Sequence, residues 1–420
     1  MLTSSAYIKK SISQQKNVIN KINTTLFYIF LFNVIFIPND TFGLKIISLA
    51  ILLTLNIKCI FSPRTNDEKA VFIFGFILTS FTIVWSTFLT KELIANFKAG
   101  YPGYILLLYS VIKKYRIDLY KILIEILHLL ALFSIGMAFL DISGILDMYD
   151  NAILNWFQQS SNAMIGKGAH LPIYYMLFFK TTPLLFVALL HDLSYKKAFY
   201  GIISFCALLL SGTRANIFML FAVVCLYLCF MQKNQVLKLL SFTVVCVSVF
   251  LIVCDGRVIN FVIDMFQRKS GGDATRAGHL QGILEVWKNN PVSFFIGSGY
   301  SAKFYSYGIS QCTSNVELSY WNLLRQDGLI LFVFTMIMYF YPIFKLIRQR
   351  RNYEMILAYV AYLIIAYTNP FLYSSTGLSM VLLMYYICNK KSGFLLFEKK
   401  RKFVCEYAKR YPLKRLYYAI

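Results

Sequence analysis

The sequence has few charged residues and very few acidic ones. Only 15% of its 420 residues are charged, and 19 aspartates and glutamates face 42 lysines and arginines, for a net charge of +23. With 58% hydrophobic residues, this composition excludes an ordinary soluble globule. The basic residues lie between apolar stretches of membrane-spanning length, so their distribution indicates membrane topology and argues against a nucleic-acid partner.

Several short motifs are also missing, and each absence argues against a kind of site. The nine cysteines show no CxxC spacing and have no histidine at metal-ligand spacing, so we expect neither a zinc site nor a disulfide framework. The only Gly-Lys-Gly run, at 166–168, lacks the Walker spacing, and no D-x-D pair occurs. We therefore expect no bound cofactor or metal. No A-x-A cleavage site follows the first apolar stretch, which predicts an uncleaved first helix.

Twelve continuous apolar runs predict an all-α polytopic membrane protein. Backbone polar groups in hydrocarbon must be satisfied internally, and continuous runs favour helices over the strands of a barrel. The fourth run is the weakest, because it contains Lys98 and Pro102. The predicted spans are 22–38, 43–61, 70–90, 94–112, 121–140, 171–190, 193–212, 215–231, 239–254, 328–346, 355–368 and 371–388.

Every second connector between these runs is basic. Because Lys and Arg near span ends are retained on the cytoplasmic side, both termini are predicted to be cytoplasmic, and 389–420 becomes a basic cytoplasmic tail. Residues 255–327, between spans nine and ten, are predicted to form a large helical periplasmic loop in which an active site could be built. The whole chain, 1–420, is expected to be one integral membrane domain in a bacterial inner membrane.

Two arginines on the predicted outer side are candidates for binding a diphosphate. Arg214 lies in the tight turn between spans seven and eight, against the inward bias of basic residues. It is either a snorkelling side chain that marks the end of a span or a guanidinium that binds an anionic headgroup. Arg276 opens a helical run in the large loop, where it either belongs to the solvated face of an amphipathic helix or contributes to the site.

Glu317 is the candidate catalytic base. It precedes the tenth span by eleven residues and could deprotonate an acceptor hydroxyl at the membrane surface. Ser314 and Glu317 also have the spacing of a capping box, in which the glutamate bonds to the helix N-terminus.

Further residues of the same loop are candidates for substrate binding. His279 lies three residues after Arg276, on the same predicted helical face. Aromatic side chains could stack on sugar rings, although an interfacial belt explains many of them equally well. The substrate-binding candidates are His279, Arg257, Arg325, Trp321 and Tyr300.

Together these features resemble the bacterial O-antigen and oligosaccharide repeat-unit polymerases of the Wzy type, which are related to O-antigen ligases. The resemblance covers nearly the whole chain in architecture. Three segments carry it: an Arg after a small-residue turn (211–215), an Arg-to-Trp helix followed by Pro and Gly-x-Gly (276–299), and a polar-aromatic helix that leads into a Gly-hydrophobic span (317–331).

The resemblance implies a GT-C-like, metal-independent glycosyltransferase that acts on undecaprenyl-diphosphate-linked oligosaccharides at the periplasmic face. It implies that Arg214 and Arg276 hold the diphosphate leaving group and that Glu317 is the catalytic base. It also makes a chain-length regulator protein a candidate partner, besides the lipid bilayer.

Two departures from the family pattern stand out. Ligases usually have a His where this chain has Glu317, which favours a polymerase. The Gly that follows an Arg by eleven residues in some polymerases is replaced by Cys225 after Arg214 and by Trp287 after Arg276. The alternatives are an O-antigen ligase and a lipid-linked oligosaccharide flippase; the flippase would predict two related halves, which the sequence lacks.

Overall fold

The structure is a computed structural model, and it describes residues 2–167, 175–231 and 269–390. Its side chains are described over 18–166, 176–231 and 273–390. The predicted ninth span (239–254), Arg257 and the tail beyond 390 lie outside the described residues.

Helices occupy most of the described chain, and they include five segments long and apolar enough to cross a membrane. The five are Val18–Phe36, Asn66–Thr90, Leu119–Ile142, Arg214–Met231 and Ser319–Arg348. Four shorter apolar helical segments are Leu44–Leu55, Thr182–Ser194, Ala198–Leu210 and Tyr353–Ala366. The prediction of a mainly helical protein with membrane-spanning segments is therefore confirmed at this level.

The elements follow one another in a regular order along the chain. The helices are α1 (Leu2–Phe36), α2 (Leu44–Leu55), α3 (Ile57–Ile60), α4 (Asn66–Phe72), α5 (Thr79–Thr90), α6 (Leu93–Gly100), α7 (Leu108–Tyr115), α8 (Leu119–Ile142), α9 (Ala152–Gln159), α10 (Leu185–Ser194), α11 (Ala198–Leu210), α12 (Arg214–Leu226), α13 (Lys269–Asn289), α14 (Val292–Ile296), α15 (Ser319–Arg348), α16 (Tyr353–Ala366) and α17 (Ser375–Asn389). Two antiparallel hairpins pair β1 (Ala163–Lys167) with β2 (Tyr175–Phe179) and β3 (Phe304–Ser306) with β4 (Gln311–Thr313).

Four short non-α segments join or extend these helices. The π-helical turns Ile73–Leu78 and Tyr227–Met231 join α4 to α5 and extend α12, and 3-10 segments at Tyr101–Leu107 and Thr182–Leu184 join α6 to α7 and precede α10. The weak fourth span is therefore helical throughout. Pro102 lies in the first turn of its 3-10 segment, directly after α6, where its missing backbone N–H interrupts the α-helical hydrogen-bond pattern.

The predicted sixth span (171–190) is wrong over 175–181, and its residues 171–174 lie outside the described part of the chain. Tyr175–Phe179 is the strand β2, and helical structure begins only at Thr182. A short apolar run does not distinguish a buried strand from a buried helix, and pairing with β1 decides the matter here. Lys180 consequently lies in the turn after the strand and not within a membrane helix.

Helix α17 lies at the centre of the described bundle. Thirteen of its fifteen residues are buried, as expected for a helix that is apolar on every side. It packs against α15 and against the Tyr101–Leu107 segment of the fourth predicted span.

The predicted cytoplasmic connectors contact one another at one end of this bundle, which we call the basic end. Nζ of Lys113, after the fourth span, lies 2.7 Å from Oε1 of Glu68, before the third. Nζ of Lys390, after the twelfth span, lies 3.2 Å from Oδ1 of Asp118, before the fifth. Arg351, between spans ten and eleven, donates to the carbonyl oxygen of Lys390 at 2.8 Å.

The predicted outer connectors meet in the same way at a second end, which we call the cavity end. Nζ of Lys180 donates to Oδ1 of Asn39 at 3.0 Å, which joins the 5–6 connector to the 1–2 connector. Nζ of Lys45 donates to Oγ of Ser375 at 3.0 Å, close to the 11–12 connector. These contacts bring together segments that are far apart in the sequence.

Candidate functional site

A polar cavity of about 650 Å³ opens at the cavity end. Five predicted outer connectors or the residues beside them contribute to its wall. The lining residues include Asn39, Asp40, Lys45, Lys98, Tyr101, Lys180, Tyr300, Ser301, Ser314, Asn315, Val316, Ser319, Asn322, Gln326, Tyr373, Ser375 and Thr376. A cavity lined by amides, hydroxyls and cations suits a ligand with many hydroxyl groups and a negative charge.

Two of the cavity's lysines are held by neighbouring residues of the 1–2 connector. Lys45 is only 2% exposed, and its Nζ donates to the carbonyl oxygen of Pro38 and to Oγ of Ser375. Lys180 donates to Oδ1 of Asn39, and burial lowers the pKa of its ammonium below the usual value. Both ammonium groups therefore donate hydrogen bonds to neutral acceptors.

Asp40 is the one acidic side chain among the described residues that line the cavity, and its oxygens bind backbone amides. Oδ1 of Asp40 accepts the backbone amide hydrogen of Lys45 at 2.8 Å, and Oδ2 accepts that of Ile46 at 3.1 Å. Asp40 thus satisfies free N–H groups at the start of α2. Lys98, which is exposed, adds a third positive charge to the wall.

The glycine motif at 297–299 and the glycine at 328 are in direct backbone contact beside this cavity. Gly297 (φ 82°) and Gly328 (φ 73°) both have positive φ, and the break at Gly328 kinks α15. A Cβ on Gly328 would lie 2.2 Å from the backbone nitrogen of Gly297. The kink frees backbone carbonyls of α15, and the amides of Ser298 and Gly299 donate to those of Arg325 and Gln326 at 2.9 and 3.0 Å.

Helix α13 packs very closely on the β3–β4 hairpin. A Cβ on Gly278 would lie 2.2 Å from the backbone nitrogen of Gly308, and one on Gly282 would lie 2.3 Å from the carbonyl oxygen of Tyr305. The absence of side chains on these glycines allows helix and hairpin backbones to touch. This contact fixes α13, and with it Arg276, over the segment that follows the hairpin.

Arg276 and Glu317, two of the predicted catalytic residues, form an ion pair. Nη2 of Arg276 lies 3.2 Å from Oε2 of Glu317, and Nη1 lies 3.4 Å from Oδ1 of Asp273. The Arg276 and Glu317 side chains are 33% and 46% exposed, so a substrate can reach both. Residues 314–316 and Ser319, on either side of Glu317 in the chain, line the cavity, whereas the Glu317 side chain pairs with Arg276 on α13.

The predicted capping box at Ser314 and Glu317 is wrong. Helix α15 begins only at Ser319, its N-cap is Leu318, and no side chain caps it. The carboxylate of Glu317 binds Arg276 because the preceding segment is drawn toward α13 by contacts between Val316, Ile283 and Phe304. Ser319 instead donates its hydroxyl hydrogen to the carbonyl oxygen of Asn369.

His279 lies on α13 with Arg276 but points into protein. It is 4% exposed, and its Nδ1 shares a hydrogen bond with Oγ of Ser306 in β3. Burial lowers the pKa of the imidazole, and the positive charge of Arg276 acts in the same direction, while Glu317 opposes the shift. The imidazole is therefore positioned to connect helix and hairpin.

Arg325 and Trp321 are also part of the packed interior. Arg325 is 1% exposed, donates to the carbonyl oxygens of Ala302 at 2.9 Å and Ser314 at 2.7 Å, and lies over the ring of Phe304. Trp321 packs against the indole of Trp287, with ring centroids 6.2 Å apart. Both side chains hold the loop onto α15.

Tyr300 does line the cavity. Its ring stacks on that of Tyr373, with centroids 5.8 Å apart. Its backbone amide donates to Oγ of Ser86, and that of Ser301 donates to Oδ1 of Asn96 at 3.0 Å, which ties the loop to the third and fourth predicted spans.

Arg214 begins α12 and lies outside the ion pair. The neighbouring Ala215 lines a second, apolar cavity of about 670 Å³ together with Tyr320 of α15 and Tyr367. Arg214 is half-buried, and among the described residues no hydrogen bond or ion pair joins it to Arg276 or Glu317. Its segment therefore approaches the start of α15 from the opposite side of an apolar space.

Sequence reasoning missed the lysines as a group. In the sequence, Lys98 and Lys180 are only charged residues within predicted spans, and Lys45 is not a candidate for the site. One signal was available: all three lie near outer connectors, where the inward bias of basic residues disfavours them. Their convergence depends on packing between distant segments.

The sequence matches no protein-family model, and no curated protein is significantly similar to it.

Proposed function

We propose that the chain is an O-antigen polymerase of the Wzy type. It would transfer the growing glycan from undecaprenyl diphosphate onto a new lipid-linked repeat unit, at the periplasmic face of a bacterial inner membrane. The observation that carries the proposal is the half-buried Arg276–Glu317 ion pair, whose glutamate belongs to the same segment as residues that line a polar cavity. The family resemblance of the same segments supports it.

The proposed reaction exchanges one bond at the anomeric carbon for another. The acceptor hydroxyl attacks that carbon, its proton passes to the carboxylate of Glu317, and the carbon–oxygen bond to the diphosphate breaks, so that the leaving group departs with the electron pair. Arg276 is positioned to stabilise charge that develops on the diphosphate, and a cation of this kind acts most strongly where water is excluded. Arg214, across the apolar cavity, would contact the lipid-linked headgroup.

Deletion of the gene is the experiment that separates the candidates. Loss of a polymerase leaves lipopolysaccharide with the core plus one repeat unit, whereas loss of a ligase or a flippase leaves bare core. Complementation with the Ala variants of Arg214, Arg276 and Glu317 should restore the protein to the membrane but not the long chains. Bare core in the deletion strain, or long chains with all three variants, would refute the proposal.

A further inference from the structure

The polar cavity holds more positive charge than the described residues balance. Three lysines line it against one carboxylate, and both oxygens of that carboxylate, in Asp40, accept backbone amides. Within the described part of the chain, no ion pair shorter than 4.0 Å includes Lys45, Lys98 or Lys180. Such a wall is complementary to an anion.

We propose that Lys45, Lys98 and Lys180 form a subsite for a carboxylate or phosphate group of the substrate. This inference rests on the proposed function, because it concerns the substrate of the same cavity. It adds three residues, from three separate segments, to the predicted arginine contacts.

Lys45 is the strongest part of the argument. A buried ammonium is costly unless a negative charge or several acceptors compensate it. The two acceptors found for Nζ, the carbonyl oxygen of Pro38 and the hydroxyl of Ser375, are neutral, and an ammonium has three N–H donors. The carboxylate of Asp40 is close enough to act on this charge, and the ring of Tyr101 lies 5.9 Å from Nζ, so both compensate part of it. A bound anion would add to this compensation and take the remaining donor.

Lys180 strengthens the case because it lies close enough for its charge to act on Lys45. Two neighbouring cations repel each other, and the repulsion is relieved when an anion lies between them. Asn39 and Pro38 hold the two ammonium groups from consecutive positions, so the arrangement is built by the chain and is not a chance surface cluster.

The neutral part of the wall indicates what surrounds the anionic group. Asn315, Asn322, Gln326 and Ser319 line the same cavity and offer amide and hydroxyl groups of the kind that bind sugar hydroxyls. The ligand class is therefore an anionic glycan, whose charge comes from an acidic sugar or from the lipid diphosphate.

The test measures the binding affinity of full-length protein in lipid nanodiscs for two probes, each on its own. One probe is undecaprenyl diphosphate without sugar. The other is a water-soluble oligosaccharide that contains a uronic acid, and it is compared with its neutral counterpart. Lys45→Met, Lys98→Met and Lys180→Met should each weaken binding of one probe by about 10-fold, because a hydrogen bond between charged groups is lost. Lys91→Met is the matched control, since Lys91 is exposed near the same end and does not line the cavity.

Each outcome has a distinct meaning. Weaker binding of undecaprenyl diphosphate alone assigns the subsite to the lipid diphosphate, and weaker binding of the acidic oligosaccharide alone assigns it to the glycan. Equal affinities of all variants and the parent for both probes would overturn the proposal. Lys98→Met guards against misfolding, because Lys98 is exposed, and Lys45→Arg retains the charge and should lose less affinity than Lys45→Met.

The outcome of this binding measurement can be distinguished from that of the gene deletion. If the deletion strain shows bare core while the lysine variants lose anion binding, the polymerase proposal fails and the subsite stands. If the deletion strain shows core plus one unit while the variants bind like the parent, the polymerase proposal stands and the subsite fails.

Discussion

Oε2 of Glu317 lies 3.2 Å from Nη2 of Arg276, across a separation of 41 residues. The pair joins α13 to the segment before α15, and the glycine contacts of α13 with the β3–β4 hairpin hold it in place. A carboxylate and a guanidinium at this distance can serve as base and anion-binding group of one reaction.

Glu317→Gln should abolish most transfer while the protein still folds. The amide is isosteric and cannot accept a proton, so we expect the rate of glycan transfer to fall by about 10²- to 10⁴-fold. Rates of transfer with a purified lipid-linked repeat unit would measure this.

Arg276→Met should also lower the rate of transfer. The double variant should lose less rate than the product of the two single effects, because the residues contact each other. Glu285→Gln, on the helix that carries Arg276, is the control; a Glu317→Gln rate within threefold of it would contradict the assignment.

Gly328→Ala should destabilise the protein. A φ of 73° with a ψ of 168° is accessible essentially only to glycine, and the added Cβ would overlap the backbone of Gly297. We expect a loss of about 3 kcal/mol or more, seen as a lower apparent midpoint in heating followed by size-exclusion chromatography. Gly136→Ala in α8, where a Cβ would meet nothing within 4 Å, should be neutral or stabilising. Equal midpoints for the two variants would argue against the kink.

Arg325→Met should reduce stability and leave ligand affinity of the folded fraction unchanged. The substitution leaves the carbonyl oxygen of Ala302 without its donor, at a cost of about 1–3 kcal/mol, and leaves that of Ser314 with Nε2 of Gln326 alone. Arg325→Lys should be destabilised as well, because an ammonium cannot reproduce the planar fork. The opposite pattern, an unchanged thermal midpoint with lost affinity, would identify Arg325 as a substrate contact.

The region around His279 should become less stable as the pH falls below about 6.5. Burial lowers the pKa of His279 in the folded state, so between that lowered value and 6.5 the unfolded chain binds a proton that the folded chain does not. Stability is therefore highest above pH 6.5 and decreases on acidification. Hydrogen exchange of α13 at pH 5.5 and 7.5, corrected for the intrinsic exchange rate, would measure the effect. His279→Asn removes the titrating group and should remove this pH dependence; an unchanged dependence in that variant would assign it to another group.

Local patterns in the sequence predicted a large part of this architecture. Long apolar runs identify the helical membrane segments because hydrocarbon leaves the backbone few alternatives. The same patterns failed at Tyr175–Phe179, where an apolar strand and an apolar helix look alike, and at Ser314, where the spacing of a capping box was present but the helix starts later. Arg276 and Glu317 could be named as candidates, although their contact could not be derived from their positions in the chain.

The sequence by itself determined the helical membrane class and the alternation of basic connectors, since hydropathy and charge act over short stretches and need no knowledge of distant neighbours. Only the tertiary structure decided which charged residues share a site. Arg325 and Arg276 look equivalent in the sequence, yet long-range packing buries Arg325 against backbone carbonyls and leaves Arg276 one-third exposed in an ion pair with Glu317. The same packing brings Lys45, Lys98 and Lys180 into one wall, because surfaces buried between distant helices determine which connectors meet.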